Sequence, residues 1–138
     1  MVRYVLDACA LIALLNKEDG ADRVATLYEE AIRGEAELFM SKVNLLEVYY
    51  GYLKEDGDAF AEQQFMAVEK SAVKINEVIS NELLRQAGKI KCAHKRISLA
   101  DSFAVAQAVV SNAVLVTADH HELDAIDKAG LIEFLWIR

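Results

Sequence analysis

The stretch VRYVLDACALIALL, residues 2–15, decides the fold of this chain. Residues 2–6 form a short apolar run typical of a buried strand, and residues 8–16 continue as a helix of small and aliphatic side chains. Asp7 stands at the junction of the two segments. A carboxylate this close to core-forming residues is costly to bury unless another group compensates its charge. A divalent cation is such a group.

The same alternation of short apolar runs and amphipathic segments continues along the chain. Strands are predicted at 2–6, 37–41, 72–75, 113–116 and 132–136, and helices at 8–16, 21–33, 44–54, 58–69, 77–93, 99–111 and 120–129. Strands that alternate with helices pair in parallel, and the helices cover both faces of the sheet. No proline, repeat or linker interrupts the sequence, so we expect one domain over residues 1–138.

Composition narrows the class of protein. Hydrophobic residues make up 54% of the chain, yet no apolar run approaches the roughly 18 to 20 residues of a membrane span. The first residues resemble a signal peptide, but Asp7 interrupts them and no small-residue cleavage site follows. We therefore expect a cytoplasmic protein whose surplus apolar surface contacts a partner chain. Cys9 and Cys92 fit no metal-binding pattern and are expected to be buried free thiols.

The charges of the chain are unevenly distributed. A net charge of −7 argues against a protein that coats nucleic acid by charge alone. Between residues 85 and 96, however, there are five positive charges and no acid: Arg85, Lys89, Lys91, Lys95 and Arg96. Such a segment either forms a solvated helix face or steers a phosphate, and the sequence leaves both interpretations open.

Four acids lie where apolar runs give way to helical patterns. They are Asp7, Glu47, Asp101 and Asp119, in the segments YVLDACALIALL, VNLLEVYYG, ISLADSFAVAQA and LVTADHHEL. Two of them follow predicted strands, one lies about a helical turn beyond a strand, and one opens a helix. Ligands of parallel sheets collect at the carboxyl ends of the strands. We therefore expect the four side chains to share one edge of the sheet.

Helix capping is the alternative explanation for each acid. Ser98 stands three residues before Asp101, a spacing typical of a capping box, and Asn44 stands three before Glu47. The two acids that follow strands can be plain N-caps. Taken singly, capping is the simpler interpretation at every position. It explains the four together less well, because they lie among Leu, Val, Tyr, Ala and Phe.

Convergence of the acids would have a chemical consequence. Two carboxylates about 4 Å apart repel by roughly 4 kcal/mol at an effective dielectric of 20. A cluster of this kind either holds protons or binds a cation. Ligands that offer only oxygen favour Mg²⁺ or Mn²⁺ over zinc.

The four segments together resemble the PIN-domain nucleases, and the size and layout of the chain are similar to those of VapC-type toxins of prokaryotic toxin–antitoxin pairs. The segment VLDACALIALL resembles the family's first acidic block, and NLLEVYYG its second, with Gly four residues after Glu. ISLADSFAVAQA resembles the third block, and LVTADHHEL the fourth, with Thr two residues before Asp. Any one block is weakly specific, but four in order along nearly the whole chain are strongly specific.

The resemblance implies a three-layer α/β/α sandwich with a parallel sheet and the activity of an endoribonuclease dependent on Mg²⁺ or Mn²⁺. It implies that Asp7 and Asp101 are primary metal ligands and that Asp119 binds the metal directly or through water. Glu47 would orient or deprotonate the attacking water, and Thr117 would support the end of its strand. The products would be a 5′-phosphate and a 3′-hydroxyl.

The resemblance also implies partners, namely RNA as substrate, a cognate antitoxin and a second copy in a homodimer. Lys95 and Arg96 are candidates for contact with RNA phosphates. The aromatic residues near positions 49–65 resemble the apolar helices with which such toxins meet an antitoxin: Tyr49, Tyr50, Tyr52, Phe60 and Phe65. Three tyrosines this close on one helix cannot all face the same core.

Two positions depart from the family pattern. Cys9 stands where a hydroxyl or amide residue is usual, and Leu123 where an aromatic is usual. Neither departure touches the four acids.

His120 and His121, the two residues after Asp119, allow two interpretations. Either they bind metal or shuttle protons, or they are surface residues at a helix start. The second interpretation is favoured because Mg²⁺ prefers oxygen ligands.

Other functions compete with a nuclease. A phosphatase of the haloacid dehalogenase type requires a second Asp two residues after the first, where this chain has Cys9. A phospho-receiver domain requires adjacent early acids and a late lysine, which are absent. Two alternatives stay open, a catalytically inactive PIN-like protein-binding module and another metal-dependent phosphohydrolase. No P-loop, GxSxG or GxGxxG motif occurs to support nucleotide, serine-triad or dinucleotide chemistry.

Overall fold

A computed structural model describes residues 1–138 and shows a five-stranded parallel sheet. The strands lie in the order β3-β2-β1-β4-β5, and every neighbouring pair is parallel. Their bounds are β1 Val2–Leu6, β2 Ala36–Ser41, β3 Val73–Asn76, β4 Val114–Thr117 and β5 Phe134–Trp136. The predicted parallel α/β sheet is confirmed.

Seven helices cover both faces of the sheet and complete a three-layer α/β/α sandwich. They are α1 Ala8–Leu15, α2 Ala21–Ile32, α3 Lys42–Asp56, α4 Asp58–Glu69, α5 Asn81–Ala93, α6 Leu99–Ser111 and α7 His120–Ala129. The first four helices pack on one apolar core and the last three on another. Strand residues alternate between the two cores, because successive side chains point to opposite faces. None of these helices has both the length and the apolar character that crossing a membrane requires.

Two predicted helix starts are wrong, and both errors concern caps. The helix predicted to begin at residue 77 begins at Asn81, because the Ser80 hydroxyl accepts a hydrogen bond from the Leu83 amide. Ile79 is therefore outside this helix and half exposed. The helix predicted at 44 begins at Lys42, with Ser41 as its N-cap. Asn44 thus lies inside the helix and is not a cap.

The prediction that both cysteines are buried free thiols is confirmed only in part. Both thiols are free, but Cys9 is partly buried and Cys92 is exposed. Cys92 lies near the end of α5, whose core-facing residues are Leu83, Ala87 and Ile90. Position 92 follows Ile90 by two residues, and this spacing turns its side chain away from that face.

The strand order fixes where a functional site can form. The chain runs outward from β1 through β2 to β3, and then returns to the other side of β1 for β4 and β5. The switch point of the sheet therefore lies between the carboxyl ends of β1 and β4. Asp7 directly follows β1, and Thr117 is the last residue of β4.

Candidate active site

Asp7 is buried at the switch point and is held by two hydrogen bonds. It caps α1: one carboxylate oxygen accepts from the Ala10 amide at 2.8 Å, and the other accepts from the Thr117 hydroxyl at 2.5 Å. Only 1% of the residue is exposed. Burial, joined by the negative charges of Asp119 and Glu47, raises the pKa of Asp7 to about 7, although the two donors oppose the shift.

Thr117 connects Asp7 to Asp119. Its hydroxyl donates to the Asp7 carboxylate and accepts from the Asp119 amide at 3.0 Å. Asp119 in turn caps α7, where its carboxylate accepts from the Glu122 amide at 3.2 Å. The carboxyl ends of β1 and β4 are thus joined by a continuous chain of hydrogen bonds, which fixes the positions of two of the four predicted acids.

Asp101 approaches the same edge from α6. Ser98 caps this helix and accepts a hydrogen bond from the Asp101 amide at 3.1 Å. The Asp101 side chain is buried, with 7% of the residue exposed. Burial, a hydrogen bond to the Glu122 carboxyl, and the charges of Asp7 and Asp119 all raise its pKa. Two carboxyl groups in hydrogen-bonding contact require a shared proton or a cation between them.

Glu47 enters from α3 and is positioned by Asn44. Asn44 is fully buried, and its side-chain amide donates to the Ala100 carbonyl at 3.2 Å while its oxygen accepts from the Ser41 hydroxyl at 2.6 Å. Asn44 also hydrogen-bonds the Glu47 carboxylate. Burial raises the pKa of Glu47, and the charges of Glu122 and Asp119 add to the shift. Asn44 therefore fixes α3 against the start of α6, next to Asp101.

Glu122 is a fifth acid of the site, in addition to the four that the sequence predicts. Asp101, Asp119 and Glu122 each offer a carboxylate oxygen within 4.8 Å of the other two. The hydrogen bond from Asp101 lowers the pKa of Glu122, as does hydrogen bonding with Ser98. The signal in the sequence was its spacing, because an acid three residues after a capping Asp lies at the same helix end.

The four predicted acids lie together at one edge of the sheet. Some of them also cap helices, so the two explanations do not exclude each other. Asp7 and Asp119 cap helices, as the capping alternative required, whereas Ser98 and Ser41 cap the helices that carry Asp101 and Glu47. The charge of Asp119 contributes to the raised pKa values of the other three acids, Asp7, Glu47 and Asp101. Asp7 is outside the group of three close ligand atoms, because both of its oxygens face protein donors.

The donor set of this acid cluster, which comprises Asp7, Glu47, Asp101, Asp119 and Glu122, fits a hard divalent cation. No cation contributes to the shifted pKa values of Asp7, Glu47 or Asp101. The six ion pairs of the molecule all involve acids outside the cluster. Several carboxylates without a protein counter-ion form the oxygen-rich environment that Mg²⁺ and Mn²⁺ prefer.

The predicted basic residues lie before α6, whereas the two histidines directly follow Asp119 at the start of α7. Lys95 and Arg96 are exposed in the turn between α5 and α6, three and two residues before Ser98, and neither forms an ion pair. The charge of His121 contributes to the lowered pKa of Glu122. The contact of Lys95 and Arg96 with RNA therefore stays a prediction.

Cys9 stands beside the acid cluster but is not a reactive thiol. Burial and the charge of Asp7 raise its pKa to about 11, although a hydrogen bond with the Ala118 backbone opposes the shift. The thiol is therefore protonated at neutral pH and is a poor nucleophile. The departure from the family pattern at this position leaves the geometry of Asp7 intact.

Comparison with known proteins identifies the family. A model of the PIN domain matches residues 4–129. The fold is similar to that of VapBC2 from Rickettsia felis bound to a DNA fragment from its promoter, with a TM-score of 0.73 at 18% identity over 97% of this chain and 98% of that one. It is similar to VapBC-1 from nontypeable Haemophilus influenzae, with a TM-score of 0.73 at 20% identity over 99% and 98% of the chains.

A third similar structure is VapBC-5 from Mycobacterium tuberculosis, with a TM-score of 0.65 at 18% identity over 99% of both chains. A comparison with curated protein sequences gave no match. The structural likeness establishes the fold, and the family model covers most of the chain. The chain belongs to the PIN domain family.

Proposed function

We propose that this chain is a divalent-metal-dependent endoribonuclease of the VapC type that acts in the cytoplasm as the toxin of a toxin–antitoxin pair. The observation that carries the proposal is the acid cluster itself. Acids from separate segments of the chain meet at the switch point, partly or fully buried, and no protein cation faces Asp7, Glu47 or Asp101. Such a cluster weakens the metal-free fold, and a bound cation would offset that cost.

The roles of the side chains follow from how each is held. Asp101 and Asp119 would hold the metal with Glu122, since their oxygens already lie within 4.8 Å of one another. Asp7 would complete the ligand set on a carboxylate oriented by Thr117. When bound, a divalent cation lowers the pKa of its water and offsets charge on the phosphodiester.

Glu47 would act as the base. Its pKa is raised, which makes the carboxylate a stronger base toward a water molecule. The water oxygen would form the new bond to phosphorus, and its proton would pass to Glu47. The bond from phosphorus to the 3′-oxygen would break, and the leaving 3′-oxygen would take up a proton from solvent. The products are a 5′-phosphate and a 3′-hydroxyl.

An RNA cleavage assay with and without EDTA tests the proposed function. We expect cleavage with Mg²⁺ or Mn²⁺, none in EDTA, and recovery when metal is returned. Asp7→Asn and Asp101→Asn should abolish cleavage, whereas Glu37→Gln, at a partly exposed acid outside the cluster, should cleave like the wild type. Cleavage by both Asn variants at the wild-type rate, with folding intact, would contradict the proposal. No cleavage under any condition would favour the inactive binding module.

The antitoxin would bind an apolar stripe on α3. Leu46, Tyr50 and Leu53 lie on one side of this helix at spacings of four and three residues, and they are 62, 56 and 36% exposed. A cavity of about 320 Å³ opens beside them between α3 and α4, lined by Leu45, Leu46, Tyr49, Phe65, Lys42 and Glu62. Tyr52 is buried, so the three tyrosines do face different surroundings. The similar structures named above are VapBC proteins, and a VapBC-type partner fits this exposed apolar helix.

Co-purification with the product of a small neighbouring gene tests this partner. Tyr50→Glu should abolish the complex, whereas Ile32→Glu, a change at an exposed apolar residue of α2, should retain it. Equal retention by both variants would contradict the assignment of the surface.

We also propose that the chain forms a homodimer. Light scattering of the isolated chain at several concentrations should show the dimer, and a monomer at every concentration would refute the proposal.

A further inference from the structure

Three aromatic rings form an ordered stack beside the acid cluster. The rings of His120 and Trp136 are nearly parallel, with centroids 3.8 Å apart and an interplanar angle of 13°. Trp136 is also parallel to Phe134, at 5.1 Å and 7°. The histidine is at the start of α7, and the other two rings project from alternate positions of β5.

The polar atoms of this stack are already bonded within the protein. The two ring nitrogens of His120 contact the Asp124 carboxylate at 2.8 Å and the Arg138 carbonyl at 2.9 Å. The indole N–H of Trp136 donates to Asp127 at 3.0 Å. The hydrogen bonds fix the planes of the His120 and Trp136 rings, while the His120 side chain stays half exposed. The half-exposed ring of His120 is therefore the part of the stack that can offer a face to a ligand.

The stack lies at the same edge of the sheet as the acid cluster, and on the same face of the sheet as Thr117. Trp136 is paired in register with Thr117, which donates to Asp7. Alternate residues of a strand share a face, and both Leu115 and Phe134 belong to the core under α5, α6 and α7. From β1 across β4 to β5 is two strand spacings, about 10 Å. His120 also directly follows Asp119.

We propose that the His120–Trp136 pair is a base-stacking subsite that binds one nucleobase of single-stranded RNA next to the scissile phosphate. The inference rests on the proposed function and deepens it. Aromatic rings bind bases through their faces without reading the sequence, because every base has a π face. The edges of both rings are occupied by carboxylates, His120 by Asp124 and Trp136 by Asp127, so a base is bound through a ring face and not through a ring edge. The larger purine rings should therefore bind better than pyrimidines.

The fluorescence of Trp136 provides a direct test, because it is the only tryptophan of the chain. The full-length protein in EDTA is titrated with a short single-stranded RNA, with the same strand made abasic, and with inorganic phosphate. We expect saturable quenching by the RNA alone, stronger for purine-rich strands. Absence of quenching, or equal quenching by the abasic strand, would overturn the proposal.

Two substitutions separate stacking from hydrogen bonding. His120→Ala should weaken RNA binding about 5- to 150-fold, the range for loss of one stacked base. His120→Phe keeps an aromatic ring and should retain most of the binding. Wild-type binding by His120→Ala with its fold intact, as judged by circular dichroism, would overturn the proposal.

The same experiments distinguish failure of the subsite from failure of the nuclease. RNA that quenches Trp136 but is never cleaved when metal is added would support the subsite and contradict the proposed function. Metal-dependent cleavage without quenching, and unchanged in His120→Ala, would overturn the subsite and leave the nuclease standing.

Discussion

Glu37 and Glu47 carry the same side chain in opposite electrostatic surroundings. Glu37, near the start of β2, accepts a hydrogen bond from Lys74 and also pairs with Arg3, and these cations lower its pKa. Glu47, on α3 at the opposite edge of the sheet, has a raised pKa because of burial and the negative charges of Glu122 and Asp119. Glu37 has its cations within the protein, whereas Glu47 has no such partner.

This difference separates acids whose charge is compensated by nearby cations of the protein from acids that have no such cation. Exposed ion pairs such as Lys74–Glu37 contribute little to stability, because solvent screens the two charges. The acid cluster destabilises the metal-free fold, because buried carboxylates repel and lack hydration. Perturbed pKa values of this kind concentrate at functional sites. The predictions below test whether the two edges differ in the expected way.

The largest contrast should be in the rate of RNA cleavage. We expect Glu47→Gln to lower kcat about 10²- to 10⁴-fold, because a glutamine cannot accept the proton of the attacking water. Glu37→Gln makes the same chemical change at the other edge and should leave kcat unchanged. Single-turnover cleavage of a labelled RNA at saturating Mn²⁺ measures both. An equal effect of the two changes on kcat would show that the acids at the two edges of the sheet do not differ in function.

Stability without metal should show the next largest effect. The pKa of Asp7 is about 7 in the folded chain and about 3.8 when unfolded, so the folded chain retains a proton that the unfolded chain loses between these values. The free energy of unfolding should therefore fall as pH rises from about 4 to 7. Asp7→Asn removes this penalty and should make the metal-free protein about 2 to 4 kcal/mol more stable at about pH 8.

Urea denaturation in EDTA at about pH 5 and about pH 8 checks this prediction. The gain in stability from Asp7→Asn should be large at the higher pH and smaller at the lower, and addition of Mn²⁺ should favour the wild type alone. Glu37→Gln should give no gain at the higher pH, because the pKa of Glu37 is lowered. If Asp7→Asn instead made the protein less stable than the wild type at the higher pH, Asp7 would not be under electrostatic strain.

Asn44 should have a smaller but measurable influence on catalysis. Asn44→Ala removes the hydrogen bonds to Ser41, to the Ala100 carbonyl and to Glu47. Loss of such a supporting residue typically costs about 10- to 100-fold in activity or metal affinity. We expect this loss in kcat, with little change in KM for RNA. Asn81→Ala, at an exposed asparagine, is the matched control, and equal activity of the two variants would contradict a positioning role.

Reversal of charge at Lys95 and Arg96 should have the smallest effect. Lys95→Glu with Arg96→Glu should raise KM for RNA severalfold through lost phosphate contacts and leave Mn²⁺ affinity nearly unchanged. The double change Lys54→Glu with Lys70→Glu, at two exposed lysines of α3 and the end of α4, controls for net charge. Equal KM values for the two double variants would assign Lys95 and Arg96 to a solvated surface.

The sequence predicts the sheet and the edge that carries the acids, because both depend on local patterns. Asp7 and Asp119 follow apolar strands, and parallel strands place their carboxyl ends together whatever the remaining packing is. The contacts of Asn44 and Glu122 were not predicted, since they depend on how α3 and α7 pack against α6. The stack of His120 on Trp136 joins a helix start to a later strand, a contact without any periodic signal. The caps at the starts of α3 and α5 shifted the helix starts by a few residues.

Titration of the metal-free protein with Mn²⁺ by calorimetry, without RNA, tests the central claim most directly. We expect the wild type and Glu37→Gln to bind Mn²⁺ with equal affinity, because Glu37 has its cations within the protein. Asp101→Asn should bind at least about 10- to 100-fold more weakly, since it loses a carboxylate at the centre of the cluster. Binding of Mn²⁺ by Asp101→Asn as tightly as by the wild type would show that the acid cluster is not a metal site.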